Sequence, residues 1–194
     1  MPKGLAILLA LAFLAAGCFG GGSGSSASEG ESLVLLQSDV GDEFTQFDKG
    51  SQRLSDLTPP RDDVDRFGRS GGWKARFSRP GTRTTDGPLL ISSLADLFDS
   101  EDGARKDFAL YEQTLGLFVD TGGREVAVAE PLVGDQFSAV TYQQGLAPNA
   151  TQFYVVAWRT GNVTASLTVN GFKLTWEQVV ALLNKQDQRI RAAQ

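Results

Sequence analysis

The stretch Gln152-Phe153-Tyr154-Val155-Val156-Ala157-Trp158-Arg159-Thr160-Gly161-Asn162-Val163-Thr164-Ala165-Ser166-Leu167-Thr168-Val169-Asn170 decides the fold. Gly161-Asn162 suits a two-residue hairpin turn of type I′ or II′, and the flanks are rich in β-branched and aromatic side chains. Such a turn sets Thr160 opposite Val163, so that Trp158 meets Ala165, Val156 meets Leu167 and Tyr154 meets Val169 on one apolar face. The other face carries Phe153, Val155, Ala157 and Arg159 beside Thr164, Ser166, Thr168 and Asn170, a mixture that implies partial hydration. A sheet with helices on one side is the expectation, and Thr164→Ala on the wet face should then cost little.

Two helices follow from spacing. Near the C-terminus Thr175 and Gln178 form a capping box, and Trp176, Val179, Val180, Leu183 and Ile190 recur at helical intervals, with Arg189 and Arg191 set to complement the C-terminal dipole. A second helix starts near Ser100, with Glu101 and Asp102 in its first turn, Ala104, Phe108, Tyr111, Leu115 and Phe118 on one face, and Gly122-Gly123 just beyond its end. Both aromatic stripes read as core.

Further strands are expected at Leu33 to Gln37, Glu43 to Phe47, Trp73 to Phe77 and Phe137 to Tyr142. Leu89 to Phe98 fits both a helix starting at Pro88 and a strand; its short length and turn-forming flanks favour the strand. Arg53 to Arg69, with Pro59 and Pro60, reads as a long irregular connection. The fold class is α+β, a single domain whose mainly antiparallel sheet carries a mid-chain helix and a C-terminal amphipathic helix packed on it.

The order of these elements, with the fragments Gly72-Trp73-Lys74-Ala75-Arg76-Phe77, Leu132-Val133-Gly134-Asp135-Gln136 and Trp158-Arg159-Thr160-Gly161-Asn162-Val163, resembles the small α+β domains of actinobacterial and other bacterial lipoproteins, including the PsbP-like group. That resemblance implies a non-enzymatic binding or assembly module.

The N-terminus implies where the chain works. Lys3 precedes an apolar run, Leu5 to Leu14, of about ten residues, the proportions of a secretory signal and well short of the roughly 20 residues that span a bilayer. Leu14-Ala15-Ala16-Gly17-Cys18 resembles a bacterial lipobox, and Cys18 is the single cysteine of the chain. Residues 1–17 read as a signal peptide, residues 18–32 as a lipidated cysteine with a Gly/Ser tether, and residues 33–194 as the domain. Two acyl chains on Cys18 hold a protein firmly where one binds only marginally. The membrane is therefore an expected partner, and no disulfide is available to the domain.

The 194 residues carry a formal net charge of −5, which removal of Lys3 with the leader makes about −6, a poor balance for a nucleic-acid ligand. Residues from Arg53 to Arg83 are mainly basic and those from Thr84 to Asp135 mainly acidic, a pattern of solvated faces. Histidine is absent, which excludes Ser-His-Asp and Cys-His catalysis and removes the commonest zinc ligand. Asp99-Ser100-Glu101-Asp102-Gly103 lacks the alternating ligands of a calcium loop and reads as a helix cap. Asp62, Asp63 and Asp65 could bracket a cation but sit among arginines, and a solvated loop is the safer reading.

The candidate ligand contacts are Arg76 and Arg159, each on an expected strand among aromatic residues and each suited to an anion, against the plainer reading of surface arginines lying over apolar neighbours. No catalytic residue, metal site or cofactor is implied. The expected function is a lipid-anchored, extracytoplasmic, non-enzymatic binding or protein-interaction module of the cell envelope, with an envelope protein or a small ligand as partner and no nucleic acid. An envelope hydrolase using acidic residues and a solute-binding lipoprotein are the alternatives.

Overall fold

The computed structural model describes residues 30–53, 66–128 and 132–194. The leader, Cys18, Pro59, Pro60, Asp62, Asp63 and Asp65 lie outside the described residues. Among those described, seven strands form one antiparallel sheet in the order β1-β2-β3-β7-β6-β5-β4. They are β1 (Thr45–Ser51), β2 (Arg69–Ser78), β3 (Leu90–Phe98), β4 (Arg124–Glu125), β5 (Gln136–Gln144), β6 (Thr151–Thr160) and β7 (Val163–Gly171). Helix α1 (Gln37–Val40) precedes β1, α2 (Glu101–Asp120) follows β3, and α3 (Trp176–Ala193) ends the chain.

The β6–β7 hairpin has the register its turn dictates. Thr160 pairs with Val163, Trp158 with Ala165, Val156 with Leu167 and Tyr154 with Val169. β7 then pairs with β3, making Leu90 to Phe98 a central strand. The double apolar signal of that segment has a simple cause: Ile91 and Ala95 point to one face and Leu94 to the other, and all three are buried.

Both faces of the sheet carry a helix, which corrects the expectation of helices on one side. On the first face α3 lays Val179, Leu182, Leu183 and Ile190 over Trp158, Val156, Leu167, Ile91 and Phe77. On the second, α2 lays Phe108, Tyr111 and Leu115 over Leu94, Val140, Val155 and Ala157. The mixed face of the hairpin is therefore dry at one end. Thr164 is fully buried, and its hydroxyl donates to the Asp107 carboxylate of α2 at 2.8 Å. Thr164→Ala accordingly removes a donor from a buried carboxylate and should cost about 1–3 kcal/mol rather than nothing. Chemical denaturation of Thr164→Ala beside Thr164→Ser, which keeps the hydroxyl, measures this.

The caps match the sequence. Ser100 Oγ accepts from the Gly103 amide at 3.2 Å at the start of α2, and Thr175 and Gln178 form the reciprocal box at the start of α3. Asp102 pairs with Lys106 at 2.6 Å and with Arg105. The hydrogen bond from Lys106 holds its carboxyl below the ordinary carboxylate range.

Leu33 to Gln37 is not a strand, and this expectation is overturned. Leu33, Val34 and Leu35 are all buried, yet they belong to no strand and pair with none. Side chains satisfy their backbone instead of a ladder: the Leu35 amide donates to Ser93 Oγ at 3.0 Å, and Gln186 of α3 donates to the carbonyls of Leu33 and Leu94. The Leu36 amide then donates to the Asp39 carboxylate at 2.8 Å, which starts α1. Packing extends back to Gly30, where a Cβ would fall 1.4 Å from the Trp73 ring, and Glu31 pairs with Lys49 at 3.0 Å.

Candidate functional site

Helix α2 runs over β3, β7, β6 and β5 and leaves the β1–β2 side of the second face uncovered by any described helix. The floor at this boundary is made of small side chains. Pairing sets Ser92 of β3 beside Thr168 of β7, and Leu94 beside Ser166, while Val155 and Ala157 of β6 flank the same two β7 residues. Short hydroxyl side chains in the middle of a sheet cannot fill the space under a helix, so a groove of about 320 Å³ opens there. Tyr111, Thr114 and Leu115 of α2 form one wall. Phe47, Leu90 and Arg76 line the other side.

Phe47 sits where the β1–β2 register slips between Gln46 and Asp48. A bulge of this kind re-aims a side chain out of the ladder, and Phe47 is 54% exposed. Arg76 faces Ser92 in the neighbouring strand; its Nε donates to Ser92 Oγ at 3.3 Å and its Nη1 to Asp48 Oδ2 at 3.1 Å. Lys74, two residues earlier on the same face, reaches the same Asp48 oxygen at 3.1 Å. Arg76 thus lines a recess that combines apolar walls, a hydroxyl floor and a cation.

Arg159 has a different role. Its register partners place it on the same sheet face but at the opposite end, across from Gln136 and Thr164. The guanidinium donates to Gln136 Oε1 and to the Gly161 carbonyl, both at 2.7 Å, and pairs with Asp135 at 3.1 Å. The Gly161 amide in turn donates to Asp135 at 2.9 Å. Gly134 makes this approach possible, since it holds φ +67° and a Cβ there would lie 2.2 Å from the Arg159 carbonyl. Arg159 therefore clasps the start of β5 to the hairpin turn. The structure does not bring it together with Arg76.

Beyond the groove, Phe118 of α2 stacks on Tyr142, which stacks on Phe153, with centroids 5.5 and 4.8 Å apart. Burial in this stack pushes the Tyr142 phenol up from its ordinary range. The buried carboxylates have structural partners: Asp96 holds Arg69 at 2.6 Å, Asp107 holds Thr164, and Asp187 holds Thr160 and Arg191. Among the described residues no group of three potential metal ligands occurs, and no helix is long and apolar enough to cross a membrane.

Sequence reasoning reached Arg76 but missed the groove around it. The signal that could have found it is the run Thr164, Ser166, Thr168 and Asn170 along β7: four small polar residues facing the same way on what proves to be a central strand.

No family model matches the chain, and no curated protein matches it at a significant level. Among solved structures, the fold is similar to that in the crystal structure of the extracellular domain of PknH from Mycobacterium tuberculosis. The TM-score is 0.56 with 12% sequence identity, over 85% of this chain and 96% of that one. At that identity the likeness is one of fold.

Proposed function

We propose that the chain is a lipid-anchored, extracytoplasmic, non-enzymatic binding module that holds its ligand in the groove between α2 and the β1–β2 side of the sheet. The observation that carries this reading is the part of the second face that no described helix covers, where a cation and a hydroxyl floor meet apolar walls in one recess. Sites for small ligands combine mostly apolar walls with a few placed polar groups in this way, typically in about 300–1,000 Å³. The extracytoplasmic location draws support from the leader and from the likeness of fold to an extracellular domain. The anchor draws support from Leu14-Ala15-Ala16-Gly17-Cys18, and the small-molecule or envelope-protein partner from the groove itself.

Fractionation tests the anchor. Cys18→Ser should leave the precursor uncleaved or move the protein from the membrane to the soluble fraction; normal processing with retention in the membrane contradicts the lipid. Screening the purified chain against envelope esters, glycans and peptides tests the binding reading. Turnover abolished by changing one acidic residue would make it an enzyme.

A further inference from the structure

We infer that the groove takes a single-tailed anionic amphiphile, a medium-chain alkyl carboxylate, with its tail against Leu94, Leu115 and Val155 and its headgroup on Arg76. This rests on the groove being the ligand site and adds the chemistry of the ligand. The tail follows from the walls: these three residues belong to the second core and extend its apolar surface into the recess. A volume of about 320 Å³ lies at the lower end of the usual range for ligand sites, which suits one chain rather than two. Phe47, exposed at its bulge beside the groove, is placed to cover a chain bound there.

The headgroup follows from the exchange that Arg76 permits. Its pair with Asp48 is partly exposed, with side chains 25% and 29% accessible, and ion pairs of that kind contribute little by themselves. Asp48 is also held by Lys74 at the same 3.1 Å. When Arg76 turns to an incoming carboxylate, Asp48 therefore keeps the Lys74 cation. A guanidinium offers a planar fork matched to a carboxylate, and Ser92 holds Nε in place beside the floor. A cationic headgroup would meet the like charges of Arg76 and Lys74, and a neutral one would displace Asp48 from Arg76 without replacing its charge.

The test is a titration of the chain from Phe19 onward, which keeps every described residue, with decanoate, with decyltrimethylammonium of equal tail length, and with acetate. The readout is the Arg76 Nε–H resonance and the backbone amides of Ser92 and Thr168. Decanoate should shift these saturably while acetate does not. Arg76→Met, which keeps the apolar stem, should weaken decanoate by at least about tenfold, and Thr114→Trp, which fills the recess but leaves Arg76 in place, should abolish binding. Thermal melts confirm that each variant is folded. If decyltrimethylammonium binds in the groove as tightly, the anionic headgroup is wrong while the groove remains a ligand site. If Arg76→Met binds decanoate like the wild type, or if decanoate leaves the groove resonances unmoved, the inference is overturned.

Discussion

Trp158→Ala should unfold the domain or leave it barely stable. Trp158 is wholly buried on the first face, at the centre of the larger core between the sheet and α3. Truncating a buried Trp typically costs about 3–5 kcal/mol, against a total of about 5–15 kcal/mol for a domain. Urea denaturation followed by circular dichroism, which does not depend on the lost indole, gives the cost. Wild-type stability in this variant would mean that the hairpin register is off by one residue and that the Trp158 face is a surface.

The second large effect concerns the N-terminal end of the domain. A chain beginning at Gly30 should melt like one beginning at Phe19, because the Gly/Ser-rich stretch between them has little apolar surface to offset the entropy of ordering it, while Gly30 itself packs against Trp73. A chain beginning at Leu36 should fail to fold cooperatively. It lacks Leu33, Val34 and Leu35, all buried, and each such side chain contributes about 1.5–3 kcal/mol when taken out of water. It also removes the Leu33 carbonyl that the buried Gln186 amide reaches. Scanning calorimetry of the three chains separates the cases, and an intact transition in the shortest would show that this segment only lies on the core.

The parts of the fold readable from sequence are those fixed by neighbours along the chain. The Gly161-Asn162 turn determines the pairing of β6 with β7, and Thr175 with Gln178 determines the start of α3. Ser100 likewise caps α2 within three residues. What escaped is set by distant partners. Leu33 to Leu35 look like a strand because their apolarity is visible and the side chains that satisfy their backbone, Ser93 and Gln186, are far away in sequence. Thr164 and Ser166 look wet because a hydroxyl gives no local sign of the helix above it or of the Asp107 carboxylate.

The candidate site divides in the same way. Alternation along Trp73 to Phe77 identified Arg76 as a strand arginine among apolar neighbours, yet the groove depends on pairings between β3, β7 and β6 and on how far α2 reaches. Arg159 carries the same sequence pattern and a different role, because its partners Asp135 and Gln136 stand on a remote strand and its approach. The bulge that turns Phe47 toward the recess leaves no motif behind.

Native mass spectrometry of the chain released from the cell envelope, wild type beside Thr114→Trp, tests the central claim most directly. If the groove is the ligand site, the wild type carries a bound small molecule in near-stoichiometric amount and the filled-groove variant carries none. Equal cargo on both proteins, or none on either, would contradict it.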